Sequence, residues 1–250
     1  MPAPAESTLD RARGILDAME GDVSLVSERI AGWWSNYLKY HRERYLDSLA
    51  LVGPVSGRVL EVGSVPCHFT LLLKRLGYDV AGTDLAPERV SRFLERHDLR
   101  VDKVDIETER FPFEDGSFDT VLFFEVLEHL RINPLHTLRE LVRVLKPGGR
   151  LILTTPNITP AHRVSFLLDR PYQGDLVEEF KKLETVGHMG HFRLYSPVDI
   201  RRLLGAVGLH IDALGYRGEF AAPNWQSKLL LLLSPRKEIF RAYIVVRAHR

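Results

Sequence analysis

The chain has 250 residues, 45% of them apolar and 27% charged, and a formal net charge of +1. That length supports one substantial core with room for an appended subdomain, and that composition argues against wholesale disorder. The near-neutral balance, without a block of Lys or Arg, gives no support to nucleic acid as a partner.

In chain order, residues 1–6 are rich in Pro and Ala and read as a frayed end. The opening MPAPAESTLDRARG lacks a basic region followed by an apolar stretch, so a signal peptide is not expected. From Ser7 to about Leu51 the pattern is helical: Ser7-Thr-Leu-Asp10 is a capping-box variant, and apolar and aromatic residues follow at three- and four-residue spacings. This aromatic-rich extension over 1–52, with Trp33, Trp34, Tyr37, Tyr40 and Tyr45, is expected either to pack on the core or to cap a ligand cleft.

After Gly53-Pro54, short apolar strands alternate with amphipathic helices. Strands are expected at 58–62, 78–84, 100–106, from 118 onward and at 150–157, with helices at 67–77, 86–98 and 133–149, the last ended by Pro147-Gly148-Gly149. The unbroken alternation predicts a parallel sheet covered on both faces. A helix over 196–208, with Ser196 as N-cap and Pro197 at its first position, leads into a strand at 209–216, and a late strand at 242–248 can only pair near it. The reading is therefore one α/β domain over 53–250, interrupted by insertions at 158–195 and 217–240 that are expected to shape a binding site. The apolar run Leu229 to Leu233 is far shorter than the roughly 20 helical residues that cross a bilayer, so no membrane span is expected. It either packs as core or forms an apolar wall for an acceptor. The single cysteine, Cys67, cannot form an intramolecular disulfide and reads as a small loop filler in a cytoplasmic protein.

In a doubly wound sheet the ligand sits at the carboxyl ends of the strands. Glu61 stands at the end of the first strand, Asp84 at the end of the second and Asp105 at the end of the third, three acids facing one crevice. Asp84 follows Glu61 by 23 residues (84 − 61), close to the interval of roughly 20 for a ribose-binding acid in dinucleotide folds. A line of carboxylates is costly to bury without polar partners, which a ligand with a ribose diol, an ammonium group and an adenine would supply. Between the first two acids, Glu61-Val-Gly63-Ser-Val65-Pro-Cys67 keeps only one glycine of a Gly-rich loop, with Pro66 supplying stiffness and Val65 the expected strain.

The run from 58 to 157 resembles the class I methyltransferases that use S-adenosylmethionine, especially their small-molecule, UbiG-like branch. The resemblance rests on the loop just quoted, on FPFEDGSFDTVLFFEVLEHL (111–130), on LRELVRVLKPGGRLILTTPN (138–157) and on GHFRLYSPVDIRRLL (190–204). It implies a mostly parallel seven-stranded sheet with an antiparallel last strand, a Rossmann-like fold, S-adenosylmethionine as cofactor and a small-molecule acceptor. It also implies roles. Glu61, Gly63 and Ser64 would hold the methionyl end, Asp84 the ribose and Leu85 the adenine face. Asp105 and Ile106 would read the adenine edge, and Phe124, Glu125 and Val126 would line the methionyl side. Asp119, at the start of its strand, is expected to order the preceding turn.

Methyl transfer is an in-line displacement for which the protein supplies orientation and often a base. Two histidines are the candidate bases: His129, just past the fourth strand beside Glu128, and His191, in the return of the first insertion. No metal is expected, since Glu184, His188 and His191 match no strong ligand spacing. The preferred acceptor, on the resemblance, is a hydroxyl of a sugar, cell-envelope or secondary-metabolite intermediate. The alternative is a catalytically inactive methyltransferase-fold module that binds a partner. A nicotinamide oxidoreductase fits less well, because the fingerprint's glycines are missing.

Overall fold

A computed structural model describes residues 6–54, 57–169, 177, 180–181, 190–221 and 225–250. Helices α1 (Glu6–Met19) and α2 (Glu28–Val52) come first, joined through a 3-10 segment at Glu20–Leu25. Then follow β1 (Arg58–Val62), α3 (His68–Arg75), β2 (Asp79–Asp84), α4 (Ser91–His97), β3 (Val101–Lys103), β4 (Phe118–Phe124) and α5 (Pro134–Val144). The C-terminal part comprises β5 (Leu145–Pro156), α6 (Pro160–Leu167), α7 (Pro197–Ala206), β6 (His210–Phe220), α8 (Trp225–Leu233) and β7 (Arg241–His249). One sheet has the order β3-β2-β1-β4-β5-β7-β6, parallel throughout except that β7 runs antiparallel to both β5 and β6.

The period-two alternation of the strands sorts their side chains between two cores. Val59, Leu122 and Ile152 face a cluster built with Leu16, Trp34, Leu49, Leu72 and Phe93 of α1 to α4. Leu60, Val121, Phe123, Leu151 and Leu153 face the opposite cluster, with Leu138 and Leu141 of α5 and Ile200 and Leu204 of α7. The N-terminal extension is therefore a layer of the sheet's own core. Asp22 and His97 pair across that layer at 2.8 Å. α7 starts where expected, at a capping box in which Ser196 accepts from the Asp199 N–H and Asp199 accepts from the Ser196 N–H.

Four boundaries differ from expectation. The helical stretch predicted for 7–51 is broken at Glu20–Ser27, where extended Ser27 donates its N–H to the Arg89 carbonyl. The third strand stops at Lys103, because Asp105 begins a turn that receives the N–H groups of Thr108 and Glu109, so Asp105 lies beyond the strand. The helix predicted to run to Gly149 ends at Val144; Leu145 pairs with Phe118, and Pro147, which cannot continue a helix, lies in the extended start of β5. β6 continues to Phe220, pairing Arg217 with Tyr243 and Phe220 with Arg241, so the start of the expected second insertion belongs to the sheet.

Candidate functional site

The turn after β1 is stapled to the end of β2. The N–H groups of Gly63 and Ser64 both donate to the Thr83 carbonyl, at 2.8 and 3.0 Å, and the Val65 N–H donates to Asp84 Oδ2 at 2.9 Å. Trp34 of α2 braces the same turn from outside, its indole N–H donating to the Pro66 carbonyl at 3.0 Å. The left-handed positions fall on Gly63 (φ 75) and on Cys67 (φ 66), so the strain expected at Val65 does not arise there. Gly63 is required: a Cβ there would stand 2.5 Å from Val126 Cγ2. Cys67 is wholly buried behind the turn, as a filler should be.

Beyond this turn opens a cavity of about 780 Å³ at the carboxyl ends of the parallel strands. Gly63, Asp84, Leu85, Asp105, Ile106, Phe124, Glu125, Val126, His129 and His191 all line it, so the structure brings together ten of the twelve candidate residues. Glu61 and Ser64 do not reach it; they border a side chamber of about 40 Å³ behind Gly63 and Val65. Glu61 is buried and accepts from the Thr70 hydroxyl, while Ser64 donates its hydroxyl to the Glu61 carbonyl at 2.9 Å. Burial pushes the Glu61 carboxyl up to about 8, with Thr70 opposing and the Asp84 charge adding to the rise.

Asp84 is positioned by its own turn, since Oδ1 accepts from the Ala86 N–H at 2.9 Å and Oδ2 from Val65. Burial raises its pKa against those hydrogen bonds. Leu85 beside it is 55% exposed, an apolar side chain left facing the cavity. Asp105 accepts from the Glu107 N–H at 3.0 Å. Glu107 in turn fixes the far wall by accepting from the Arg131 and Ile132 N–H groups at 2.5 and 2.6 Å. Asp119 does not reach the cavity; it takes the Arg58 N–H at 2.8 Å and the Lys146 ammonium at 2.7 Å, tying β4 to the starts of β1 and β5.

The part of the cavity wall that follows β4 is ionic. Glu125, in a left-handed conformation (φ 55), pairs with Arg44 of α2 at 3.5 Å, and the Arg44 guanidinium lies over the rings of Tyr37 and Tyr243. Glu128 is fully buried; Oε2 accepts from the Thr155 hydroxyl at 2.9 Å, and its backbone carbonyl takes the N–H groups of Phe192 and Arg193. Burial first, and the Glu125 charge second, hold the Glu128 carboxyl well above the ordinary carboxylate range. His129 Nδ1 donates to the Gly190 carbonyl at 3.0 Å, which makes Nε2 the basic or ligating nitrogen of the neutral ring. The His191 ring stands edge-on to it with centroids 5.3 Å apart. Ligand atoms of Glu128, His129 and His191 all lie within 4.8 Å of one another, a group able to hold a metal ion. Of the set weighed from the sequence, Glu184 and His188 lie outside the described residues.

Four residues of α2 line the cavity: Trp33 and Tyr37, from the aromatic set for which capping a ligand cleft was one of the two expected roles, and His41 and Arg44, which sequence reasoning did not single out. Their spacing of four, four and three places them on one helix face, which was the available signal. Sequence reasoning also missed Glu128 as a site residue, and His162, whose Nδ1 accepts from the Thr159 N–H at 3.0 Å.

Comparison with known proteins agrees with the fold. The family described as "Methyltransferase domain" matches residues 36–214. The ubiquinone biosynthesis O-methyltransferase of Xanthomonas axonopodis pv. citri is 41% identical over 205 residues, covering 78% of this chain and 79% of that protein. Its counterpart in Xanthomonas euvesicatoria pv. vesicatoria is 43% identical over 197 residues, 75% of each chain. Among solved structures, a methyltransferase in complex with the Haloferax volcanii Trm112 methyltransferase activator superposes with a TM-score of 0.61 at 18% identity, covering 94% of this chain and 96% of that one. A methyltransferase from Archaeoglobus fulgidus gives 0.58 at 16% identity, over 86% and 94% of the two chains. These two establish the fold alone. Family, sequence relatives and fold agree: the chain belongs to the class I methyltransferases and takes its methyl group from S-adenosylmethionine.

Proposed function

We propose that this enzyme methylates a hydroxyl oxygen of a small, partly apolar acceptor, using the Glu128–His129–His191 part of the cavity wall to activate that oxygen. The observation that carries this reading is the juxtaposition of two imidazoles and a buried carboxyl in the wall of a cavity that also has the stapled Gly63–Asp84 turn. The Xanthomonas relatives are named as O-methyltransferases, which favours oxygen as the atom methylated.

The cofactor suits the stapled turn. Each Asp84 oxygen accepts one backbone N–H and keeps lone-pair capacity for a ribose hydroxyl. Leu85 and Ile106 offer apolar surface to an adenine, and Asp105 a polar edge. The missing Cβ of Gly63 lets its backbone lie close against Val126, the two together forming cavity wall. Phe124, Glu125 and Val126 would flank the methionyl part, while Glu61 and Ser64 act from behind, fixing the loop, with any contact to the amino group through the side chamber. Bound there, S-adenosylmethionine supplies an electrophilic methyl group. The chain's own residues orient the acceptor against it and take the hydroxyl proton, with His129 Nε2 or His191 as the base.

One observation favours a second reading of the same trio. Glu128 Oε1 is buried without a hydrogen-bond partner among the described residues, and beside it Glu125 Oε1 is in the same state. A divalent cation held by Glu128, His129 and His191 would satisfy the first of these and lower the pKa of an acceptor hydroxyl bound to it. Transfer of labelled methyl to a panel of phenolic and sugar hydroxyls, amines and carbon acceptors, before and after chelation with Mg2+, Mn2+ or Zn2+ add-back, tests both readings. Activity that survives chelation supports the imidazole base; activity lost and restored by one metal supports the cation. Transfer only to nitrogen or carbon acceptors overturns the proposal.

A further inference from the structure

We propose that His162 donates a hydrogen bond to the acceptor and so selects hydroxyl compounds that carry a second, uncharged lone-pair oxygen, such as a carbonyl. The inference rests on the reading above, in which His129 or His191 takes the hydroxyl proton, and adds the group that holds the rest of the acceptor.

Backbone chemistry decides which ring nitrogen of each histidine carries hydrogen. The Gly190 carbonyl only accepts, so His129 has its hydrogen on Nδ1. A backbone N–H only donates, and the Thr159 N–H meets His162 Nδ1 at 3.0 Å. That nitrogen is therefore an acceptor, and the neutral ring carries its hydrogen on Nε2. The hydroxyl of buried Thr159 stands 2.9 Å from the same Nδ1 and is a second donor for it. Burial pushes the His162 imidazole below its ordinary value, and a proton on Nδ1 would meet the Thr159 N–H head-on. At neutral pH the two rings are thus opposite tautomers in one cavity wall: His129 presents a base and His162 an uncharged donor.

Helix capping explains only half of this arrangement. Thr159 precedes α6 and His162 is its third residue, so the bond from the Thr159 N–H is the return half of a capping box. That half needs only an acceptor, for which Glu or Gln is usual. Histidine meets the need and leaves an N–H on the far side of the ring, where no partner stands among the described residues. The sheet order says which ligand it meets. His162 follows β5, and β4 separates β5 from β1 and the turns proposed for the cofactor. The donor therefore faces the acceptor, and an uncharged donor suits a neutral carbonyl or ether oxygen.

The test reads binding and needs no turnover. Protein labelled with nitrogen-15 at histidine is saturated with S-adenosylhomocysteine and followed by ring-nitrogen NMR. Each positional isomer of hydroxyacetophenone is titrated in, and then the isopropylphenol of the same substitution. His162 is expected to carry its hydrogen on Nε2. At least one hydroxyacetophenone should bind about threefold to tenfold tighter than its isopropyl match and shift the His162 Nε2 signal. His162→Gln accepts the Thr159 N–H through its amide oxygen and keeps a donor, so it should retain most of the preference. His162→Glu keeps the cap without a donor, and should lose the preference at an unchanged urea midpoint. Hydrogen on Nδ1 of His162, equal binding within every matched pair, or a preference that survives in His162→Glu would each overturn the proposal. By contrast, hydrogen on Nε2 of His129 would contradict the base assigned above, while the paired titrations still decide the role of His162.

Discussion

Two parts of the cavity wall are built on opposite principles. At the β1–β2 part, short turns are fixed by backbone hydrogen bonds: Gly63, Ser64 and Val65 are all held by Thr83 and Asp84, and Trp34 clamps Pro66 from behind. At the β4–β5 part, buried ionisable side chains from distant segments meet with incomplete pairing. There Arg44 of α2, Glu125, Glu128, His129 and the returning His191 converge, and two carboxylate oxygens have no hydrogen-bond partner among the described residues. The first is fixed by its own backbone hydrogen bonds, as the proposed cofactor role requires; the second retains unsatisfied polar capacity, as the proposed chemical role requires.

The sharpest way to separate the two parts is His129→Ala. Loss of a positioned base or ligand is expected to cost about 10²–10⁴ in turnover while leaving S-adenosylhomocysteine affinity nearly unchanged in calorimetry. A parallel loss of affinity would mean the parts are not independent.

A pH series on the ligand-free protein comes next, with expected changes of a few kcal/mol across each window. His68 is buried, and burial pushes its imidazole down to about 3. The unfolded chain takes up that proton first, so stability should fall as pH drops from 6.5 toward 3. Glu61 behaves in the opposite sense: it keeps its proton in the folded state up to about 8, so stability is full below 4.5 and is lost as pH rises through about 8. Urea midpoints of Glu61→Gln should lose the alkaline decline and keep the acidic one; an unchanged alkaline arm would count against the buried, protonated Glu61.

Gly63→Ala acts on the stapled turn. A left-handed alanine pressed against Val126 should cost roughly 1–3 kcal/mol in chemical denaturation and weaken cofactor binding more than turnover by the bound enzyme. Trp34→Phe is the mildest change. Removing the indole N–H leaves the Pro66 carbonyl without its donor, for about 1 kcal/mol of stability and a modest loss of cofactor affinity. A fully wild-type affinity there would show that the brace is structural only.

Much of this was legible in the sequence, for physical reasons. Strands buried on both faces, such as Val59–Val62 and Phe118–Phe124, read as continuous apolar runs, and the β–α alternation set the parallel order. The acids at the ends of β1 and β2 stood out because carboxyls are rare at buried strand ends. Which way each side chain points was not legible: Glu61 and Asp84 have similar sequence contexts, yet one turns behind the loop and the other into the cavity. For α2 the sequence left core packing and a cap over the cleft as alternatives, and both occur: Trp34 is buried and braces the loop while Tyr37 and Arg44 line the cavity. The Glu128–His129–His191 trio depends on a return of the chain some sixty residues later, and no local spacing encodes that.

The most direct measurement is calorimetric titration of wild-type and Asp84→Asn protein with S-adenosylhomocysteine. Asp84 both staples the glycine-poor loop and faces the cavity, so the substitution should weaken binding by about 10²-fold while the unfolding transition remains cooperative. Equal affinity in the two proteins would contradict the assignment of the stapled turn to the cofactor.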